Sequence, residues 1–577
     1  MNVQSTTPLG INHGTDDFPI TWEDGEQELF WILDDNHCPN PLSPMYFDIG
    51  GWWLTCDHMF RRFGTPFASD WIAKNINGYL YTAAIPADPS VSSSASEYQS
   101  AYTPRVPMNA DYAAKIGPYM GTVLPHYAEN FLDWWNDRIL PEMKRSFEYI
   151  DNFDKEGASL TALAVLLEDT IDMHDRHWKI HWQLNFAQFS ATMALNGTID
   201  AMLPDADPEL KGRLQSSVND RNWDSLEALW QIKEQIKASP TLTAAFQVDG
   251  AAGVIAALGG SDEGRALIAE GIEPYQKEFG QKAMWSHEVM FPLWSESPGP
   301  VIEAVRGYVL NDYDLAAARK HVEEDLDAAV KELMAALPDD AARAEMHPVL
   351  QQSLRMNPLT PDHHFYIDQG TNARLRTVLI AIGRKLVAAD VLDEAEDIAF
   401  LHYNELRALV GDPAAYDARD LVSDRRDDHE EATTKRPPDW VGTATEDALA
   451  FPYASLWGFP EKFYHKPPEK AGEVNGLAAS PGVIEGKARV VLSLDQFDEV
   501  EAGEILVCKM TNPAWVVLFT KISGLVTDAG GSASHSAVVS REFGLPAVVG
   551  TSYATQQIST GDTVRVNGTT GVVEILQ

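Results

Sequence analysis

The segment Thr527-Asp528-Ala529-Gly530-Gly531-Ser532-Ala533-Ser534-His535-Ser536-Ala537-Val538-Val539-Ser540-Arg541-Glu542-Phe543-Gly544 passes from the end of an apolar run, through two glycines, into a helical pattern. Gly530 and Gly531 permit backbone conformations and close approaches that a side chain would block. Ser532 or Ser534 can cap the helix that begins near His535. Backbone amides at a helix start can contact phosphate oxygens. The positive end of the helix dipole favours the neutral imidazole, the form with a lone pair for attack on phosphorus. These residues fit either a phosphorylated histidine or an anion-binding loop.

Around this segment the apolar period is close to two. Short strands are expected in ARVVLS, EILVCK, GLVTDA, PAVVG, DTVRVN and GVVEIL, with a helix from about His535 to Phe543. Asn567-Gly568 is a hairpin signal between the last two strands. Upstream, YHKPPEKAGEVNG has a proline pair and little apolar content, as a linker would. The expected organisation is therefore a mainly α-helical region over 1–462, possibly in two subdomains, a linker over 463–475, and an α/β domain over 476–577.

The N-terminal region is irregular and rich in aromatic residues. Cys38-Pro39-Asn40-Pro41-Leu42-Ser43-Pro44 argues for a turn or an extended run. From about Tyr112 to Ala335 the pattern is helical, as in ENFLDWWNDRILPEMKRSFEYI and SLEALWQIKEQIKA. Residues 316–346, rich in alanine and acid, read as an exposed helical hairpin, and Thr371 to Ala389 as a further helix.

Acidic residues outnumber basic ones by 85 to 44, a formal charge of -41. Such a surface repels a phosphate backbone, which argues against general nucleic-acid binding. Cys38, Cys56 and Cys508 form no CxxC pair. The N-terminus lacks a signal-peptide pattern and no apolar run reaches membrane-spanning length, so a cytoplasmic location away from membranes is expected.

GGSASHSAVVSREFGLPAVVG resembles the phosphohistidine segment of the PEP-utilising enzymes, a family that includes rifampin phosphotransferase and the phosphohistidine-bearing subunit of phenylphosphate synthase. The resemblance continues through Ser480-Pro481-Gly482, Gly486-Lys487-Ala488, Gly503-Glu504-Ile505-Leu506-Val507 and Gly561-Asp562. It implies a swivelling phosphohistidine domain, with His535 phosphorylated and Gly530, Gly531, Ser532 and Ser534 supporting it. Ser532 stands where family members often carry a bulkier residue or threonine.

The rest of the chain shows neither the glycine-rich strand–loop–strand of an ATP-grasp domain nor a β/α barrel. GAAGVIAALGGSDEG at 250–264 lacks the Gly-Lys-Ser/Thr ending of a phosphate loop and reads as a helix–turn feature. The resemblance thus implies a split enzyme. A separate ATP-grasp subunit would bind most of the ATP and Mg2+, ATP would yield AMP and phosphate, and a phenolic or other aromatic alcohol would be the acceptor. No tightly bound organic cofactor is expected. A carrier that passes phosphate to another protein is the alternative.

His174, His177 and His181 fall on one face of a helix and are acceptor-site candidates; packing, substrate or base chemistry and metal binding are all open to them. His363 and His364, read in an extended segment, would point to opposite sides, so at most one need face the cleft; His364 is the acceptor-site candidate. Arg374 is a candidate cation for the transfer site, as are Arg376, Arg384 and Lys385. Asp57 and His58 form a further polar group beside Trp52 and Trp53. The metal set remains unassigned.

Overall fold

The computed structural model describes residues 9–58, 62, 68–86, 110–311, 314–445, 470–492, 494–512, 515–519, 521–531 and 534–576. Ser532 and the 463–469 part of the expected linker lie outside them.

A large, mainly helical region precedes a C-terminal α/β unit. The helical region is built on the Leu160–Met202 helix, whose N-terminus is capped by Ser159, which accepts from the Ala162 amide at 3.2 Å. This long helix buries side chains around most of its circumference, from Leu163 and Trp178 to Leu195 and Ile199. A helix covered on several sides carries no single apolar stripe. The Gly370–Ala388 helix packs along it and is itself almost wholly buried. Residues 315–356 form the expected hairpin, Leu315–Ala336 followed by Asp340–Met356, each capped by an aspartate, Asp314 and Asp339.

The N-terminal aromatic region contains a sheet that periodicity did not reveal. Strands β1 (Gly10–Asn12), β2 (Phe30–Leu33), β3 (Ala68–Ile76), β4 (Tyr79–Pro86) and β5 (Trp440–Ala444) form an antiparallel sheet in the order β1-β5-β2-β4-β3. All four residues of β2 are buried, so they do not alternate. Its partner β5 comes from the far side of the helical region, and the pairing brings the 34–43 loop against the body.

The C-terminal strands are β6 (Glu473–Asn475), β7 (Leu477–Ser480), β8 (Val483–Val491), β9 (Ile505–Cys508), β10 (Gly524–Thr527), β11 (Ala547–Val549), β12 (Thr563–Asn567) and β13 (Val572–Leu576), in the order β6-β13-β12-β8-β9-β10-β11-β7. The β8-β9-β10-β11 centre is parallel and antiparallel strands flank it. Parallel strands place their ends together, and the His535–Glu542 helix starts just beyond the end of β10. Cys38, Cys56 and Cys508 are buried and unpaired. Among the described residues no helix is long and apolar enough to cross a membrane.

Arg376 is a structural pin, not a cation of the transfer site. Its buried guanidinium donates to Glu296 Oε1 and Oε2 at 2.6 and 2.8 Å and to the Val289 carbonyl at 2.6 Å. It thereby ties the segment after Lys282 to the Gly370–Ala388 helix. Removing one partner of such a pair leaves the other desolvated and uncompensated. Arg376→Met is expected to cost about 2–4 kcal/mol, allowing for the partial exposure of Glu296, and to lower the main thermal transition by circular dichroism. Arg384→Met, at an exposed position of the same helix, should leave that transition within error.

Candidate functional site

The chain turns sharply after β10. Gly530 has φ of 117°, and a Cβ there would lie 2.9 Å from Ser534 Oγ, so the turn requires glycine. Ser534 caps the following helix by accepting from the Ala537 amide at 3.4 Å, and its own amide donates to the Gly531 carbonyl at 3.0 Å. His535 is half-buried at the first position of that helix.

Its Nδ1 lies 3.0 Å from Thr511 Oγ1, which is 2.8 Å from Ser536 Oγ. With Nδ1–H donating to Thr511 and the threonine hydroxyl donating to Ser536, His535 Nε2 keeps its lone pair. Burial, with the positive fields of His364 and Lys282, lowers the His535 pKa to about 3. The ring is therefore neutral at physiological pH. Thr511 and Ser536 were not legible as a support, because Thr511 lies on a different loop.

The helical region presents a facing wall. Asn36 Oδ1 accepts from the Gly530 amide at 3.1 Å, and Lys509 Nζ donates to Asn40 Oδ1 at 3.1 Å. Asn512 donates to the Met284 carbonyl, and Trp515 packs on Trp285 with ring centroids 5.7 Å apart. Lys282, buried close by, donates to Ser225 Oγ at 2.5 Å and Tyr275 Oη at 3.1 Å. Burial, then Arg221, lowers its pKa to about 7.

Behind this wall lies a group of five histidines, His37, His181, His287, His363 and His364, with Asp34 and Asp368. His363 and His364 are not extended. They straddle the junction between the Leu359–His363 helix and a π-helical turn, His364–Gln369, and their rings stack with centroids 4.1 Å apart. The helical backbone brings the two rings together, where an extended segment would point them to opposite sides. It also brings Asp368 Oδ2 onto His364 Nδ1 in a short contact. Burial alone would raise the Asp368 pKa; the fields of His364, His363 and His287 and the His364 hydrogen bond outweigh it and hold the carboxyl well below its usual range.

His181 reaches this group, its ring 4.9 Å from that of His363. His174 and His177 share its helical face but meet other partners further up. His174 Nε2 lies 3.0 Å from the Gly50 carbonyl, and His177 Nδ1 lies 2.9 Å from Thr371 Oγ1. Both are buried, and His174 touches the cluster through Trp178, whose indole donates to His174 Nε2 at 2.9 Å and packs on the His181 ring. Arg374 also faces elsewhere, paired with Asp151 at 2.7 Å and lying over the Phe147 ring. Lys385 donates to the Glu156 carbonyl, and His58 lies against Gln183. Sequence reasoning missed the Asp34–His37 pair, His287 and Lys282. Asp34 Oδ1 is 2.9 Å from His37 Nδ1, and although burial opposes charge on this ring, Asp34 raises its pKa. Tryptophans wall the cluster: Trp178 lies 4.8 Å from the His181 ring and Trp52 lies 5.7 Å from the His37 ring.

Burial lowers His177 and His363 to about 3, against an ordinary value of 6.5. Between pH 6.5 and 3 the unfolded chain takes up protons on these residues that the folded chain excludes, so acidification favours unfolding. Each contributes about 1.4 kcal/mol per pH unit within that window. The thermal transition should therefore fall steadily from pH 7 to pH 5, with His177→Gln giving a shallower fall than the parent chain in differential scanning calorimetry. Parallel slopes would contradict neutral burial of His177.

Two family models match: "PEP-utilising enzyme, mobile domain" over residues 500–571 and "Rifampicin phosphotransferase fourth domain" over residues 183–358. Chondramide synthase cmdD of Chondromyces crocatus is 28% identical over 97% of this chain and 14% of its own length. Rifampicin phosphotransferase of Streptomyces sviceus is 33% identical over 53% of this chain and 34% of its own length. Prodigiosin synthesizing transferase PigC of Serratia marcescens is 27% identical over 67% of this chain and 42% of its own length. The chain thus spans less than half the length of each of these three relatives. The first matched segment carries the His535 loop, and the second the C-terminal part of the Leu160–Met202 helix together with Lys282 and His287; the chain thus carries a segment of the PEP-utilising mobile-domain family and resembles rifampicin phosphotransferase.

Proposed function

We propose that this chain is the phosphohistidine-bearing component of an ATP-dependent phosphotransferase that acts with a separate ATP-grasp subunit. The phosphoryl group passes from ATP to His535 Nε2 and then to a phenolic or other aromatic hydroxyl, with AMP and phosphate as the other products of ATP. The carrying observation is the apposition of a neutral, Nδ1-anchored His535 to a histidine cluster that contains the His364–Asp368 pair. The rifampicin and prodigiosin relatives support a small aromatic acceptor, as do the tryptophan walls, which suit a flat apolar ring.

In the second half-reaction the acceptor oxygen attacks phosphorus, the P–Nε2 bond breaks, and its electron pair returns to His535. The ring is left neutral, with its proton still on Nδ1 towards Thr511. The hydroxyl proton goes to His364 Nε2, and Asp368 stabilises the imidazolium that forms. His37, whose pKa Asp34 raises, would offer positive charge to the transferring oxygens when protonated. The C-terminal α/β unit, which includes β6 (Glu473–Asn475) from the expected linker, would carry His535 between the ATP-grasp partner and this wall.

The test is intact-protein mass spectrometry of the chain with its ATP-grasp partner, ATP and Mg2+, followed by addition of phenol and substituted phenols. The expected result is a labile gain of one phosphoryl group on His535, discharged as an aryl phosphate forms. His535→Ala should take up none. His364→Gln should be phosphorylated normally and discharged about 10²–10⁴-fold more slowly. Full-rate discharge by His364→Gln removes it as the base; discharge only to a protein would overturn the small-molecule acceptor.

A further inference from the structure

Three donors in the cluster are arranged in a way that proton transfer alone does not require. Asp368 has one oxygen, Oδ2, committed to His364; the other, Oδ1, is buried and has no hydrogen-bond partner. An unsatisfied buried carboxylate oxygen is costly, and native structures rarely keep one without a use. His363 Nδ1 lies 3.0 Å from the Leu359 carbonyl, which can only accept, so Nδ1 carries the proton and Nε2 keeps its lone pair. Histidines that bind metals are commonly fixed through such a bond from the other ring nitrogen. His181 lies edge-on to His363, and the Asn185 amide sits at 3.3 and 3.4 Å from its two nitrogens, favouring neither. One ligand atom from each of His181, His363 and Asp368 falls within 4.8 Å of the others, and all three residues are buried.

We propose that His181, His363 and Asp368 bind one divalent transition-metal ion. Two imidazole nitrogens and one carboxylate oxygen suit Zn2+, Mn2+, Fe2+ or Co2+ better than Ca2+ or an ATP-bound Mg2+, which prefer oxygen ligands. The separation exceeds that across a filled shell, given metal–nitrogen distances of about 2.1 Å, so small side-chain rotations would close the site. Burial keeps the His181 and His363 rings neutral, which leaves their lone pairs available. Three protein ligands leave positions open. His37, His287 and His364 surround the site, and His364 shares Asp368 with it. Under the function proposed above, the ion would bind the acceptor oxygen and favour loss of its proton to His364. The binding itself does not depend on that function.

The experiment uses the full chain, treated with a chelator, exchanged into chelator-free buffer and titrated with Co2+ and then Zn2+, with no nucleotide, partner or acceptor. The expected result is one equivalent of Co2+ with a visible ligand-field spectrum, displaced by Zn2+. His363→Gln and Asp368→Asn should each weaken binding at least about tenfold, while His347→Gln on an exposed helix position should not. Should either cluster variant fail to give the parent circular-dichroism spectrum, His181→Gln carries the comparison from the other helix. Stoichiometry well below one, or affinity unchanged in the folded cluster variants, overturns the site. Metal binding that persists in a chain unable to discharge phosphohistidine would count against the proposed reaction and not against the site.

Discussion

The arrangement of the site follows from one buried charge, the carboxylate of Asp368. Removing a carboxylate from water is expensive unless hydrogen bonds and positive potential replace the lost hydration. The His364–Gln369 π-turn supplies the first of these by placing His364 Nδ1 on Oδ2, and the field of His364 contributes to the second. A π-turn widens the helix and interrupts its hydrogen-bond ladder, which costs stability on its own. Here it is held between the long Leu160–Met202 helix and the Gly370–Ala388 helix that continues from it. Arg376, pinned to Glu296 and Val289, locks the segment that carries Lys282, His287 and Glu288 against the same helix. Glu288 is itself satisfied by the amide and hydroxyl of Ser43, at 2.7 and 2.6 Å, which draws the N-terminal loop into place. The polar interior thus links distant parts of the chain, with Asp368 Oδ1 left without a hydrogen-bond partner among the described residues.

Local signals carried six of the eight strands of the C-terminal unit; β6 fell within the expected linker and β7 was not read, because their partners β13 and β11 lie far along the chain. The His535 helix starts at the residue its serine cap implies. The N-terminal sheet was hidden because β2 is buried on every side and its partner β5 lies far along the chain, beyond any window in which a pattern could be read. His363 and His364 were read in an extended segment; instead they lie at the junction of a short helix, with Pro358 at its N-cap, and a π-helical turn. The helical spacing of His174, His177 and His181 was real, but a shared face does not imply shared neighbours. Thr371 and Asn372 meet the first two, and only the third reaches His363. Which acid each of Arg374 and Arg376 would pair with is decided by tertiary packing, so their roles could not be separated in advance.

The contact between the two units is chemically mixed. Gly530 to Asn36, Lys509 to Asn40 and Asn512 to Met284 are polar, and Trp515 on Trp285 is the large apolar element among these contacts. Buried apolar side chains of both units, Ile302 and Val305 on one side and Trp515, Leu518 and Phe519 on the other, also belong to one continuous core cluster, so separating the units would expose apolar surface as well as polar groups. In the closed arrangement this interface orients His535.

A chain with a net charge of -41 must still tolerate a phosphoryl group at this interface. Permanent cations facing His535 would hold a phosphorylated ring tightly but would also pull in stray anions. Lys282 avoids both outcomes. It is buried with no carboxylate among its close hydrogen-bonding partners, and a pKa of about 7 leaves it between its charged and neutral forms near physiological pH. Negative charge arriving on His535 would raise that pKa and draw a proton onto Lys282; loss of the phosphoryl group would release it.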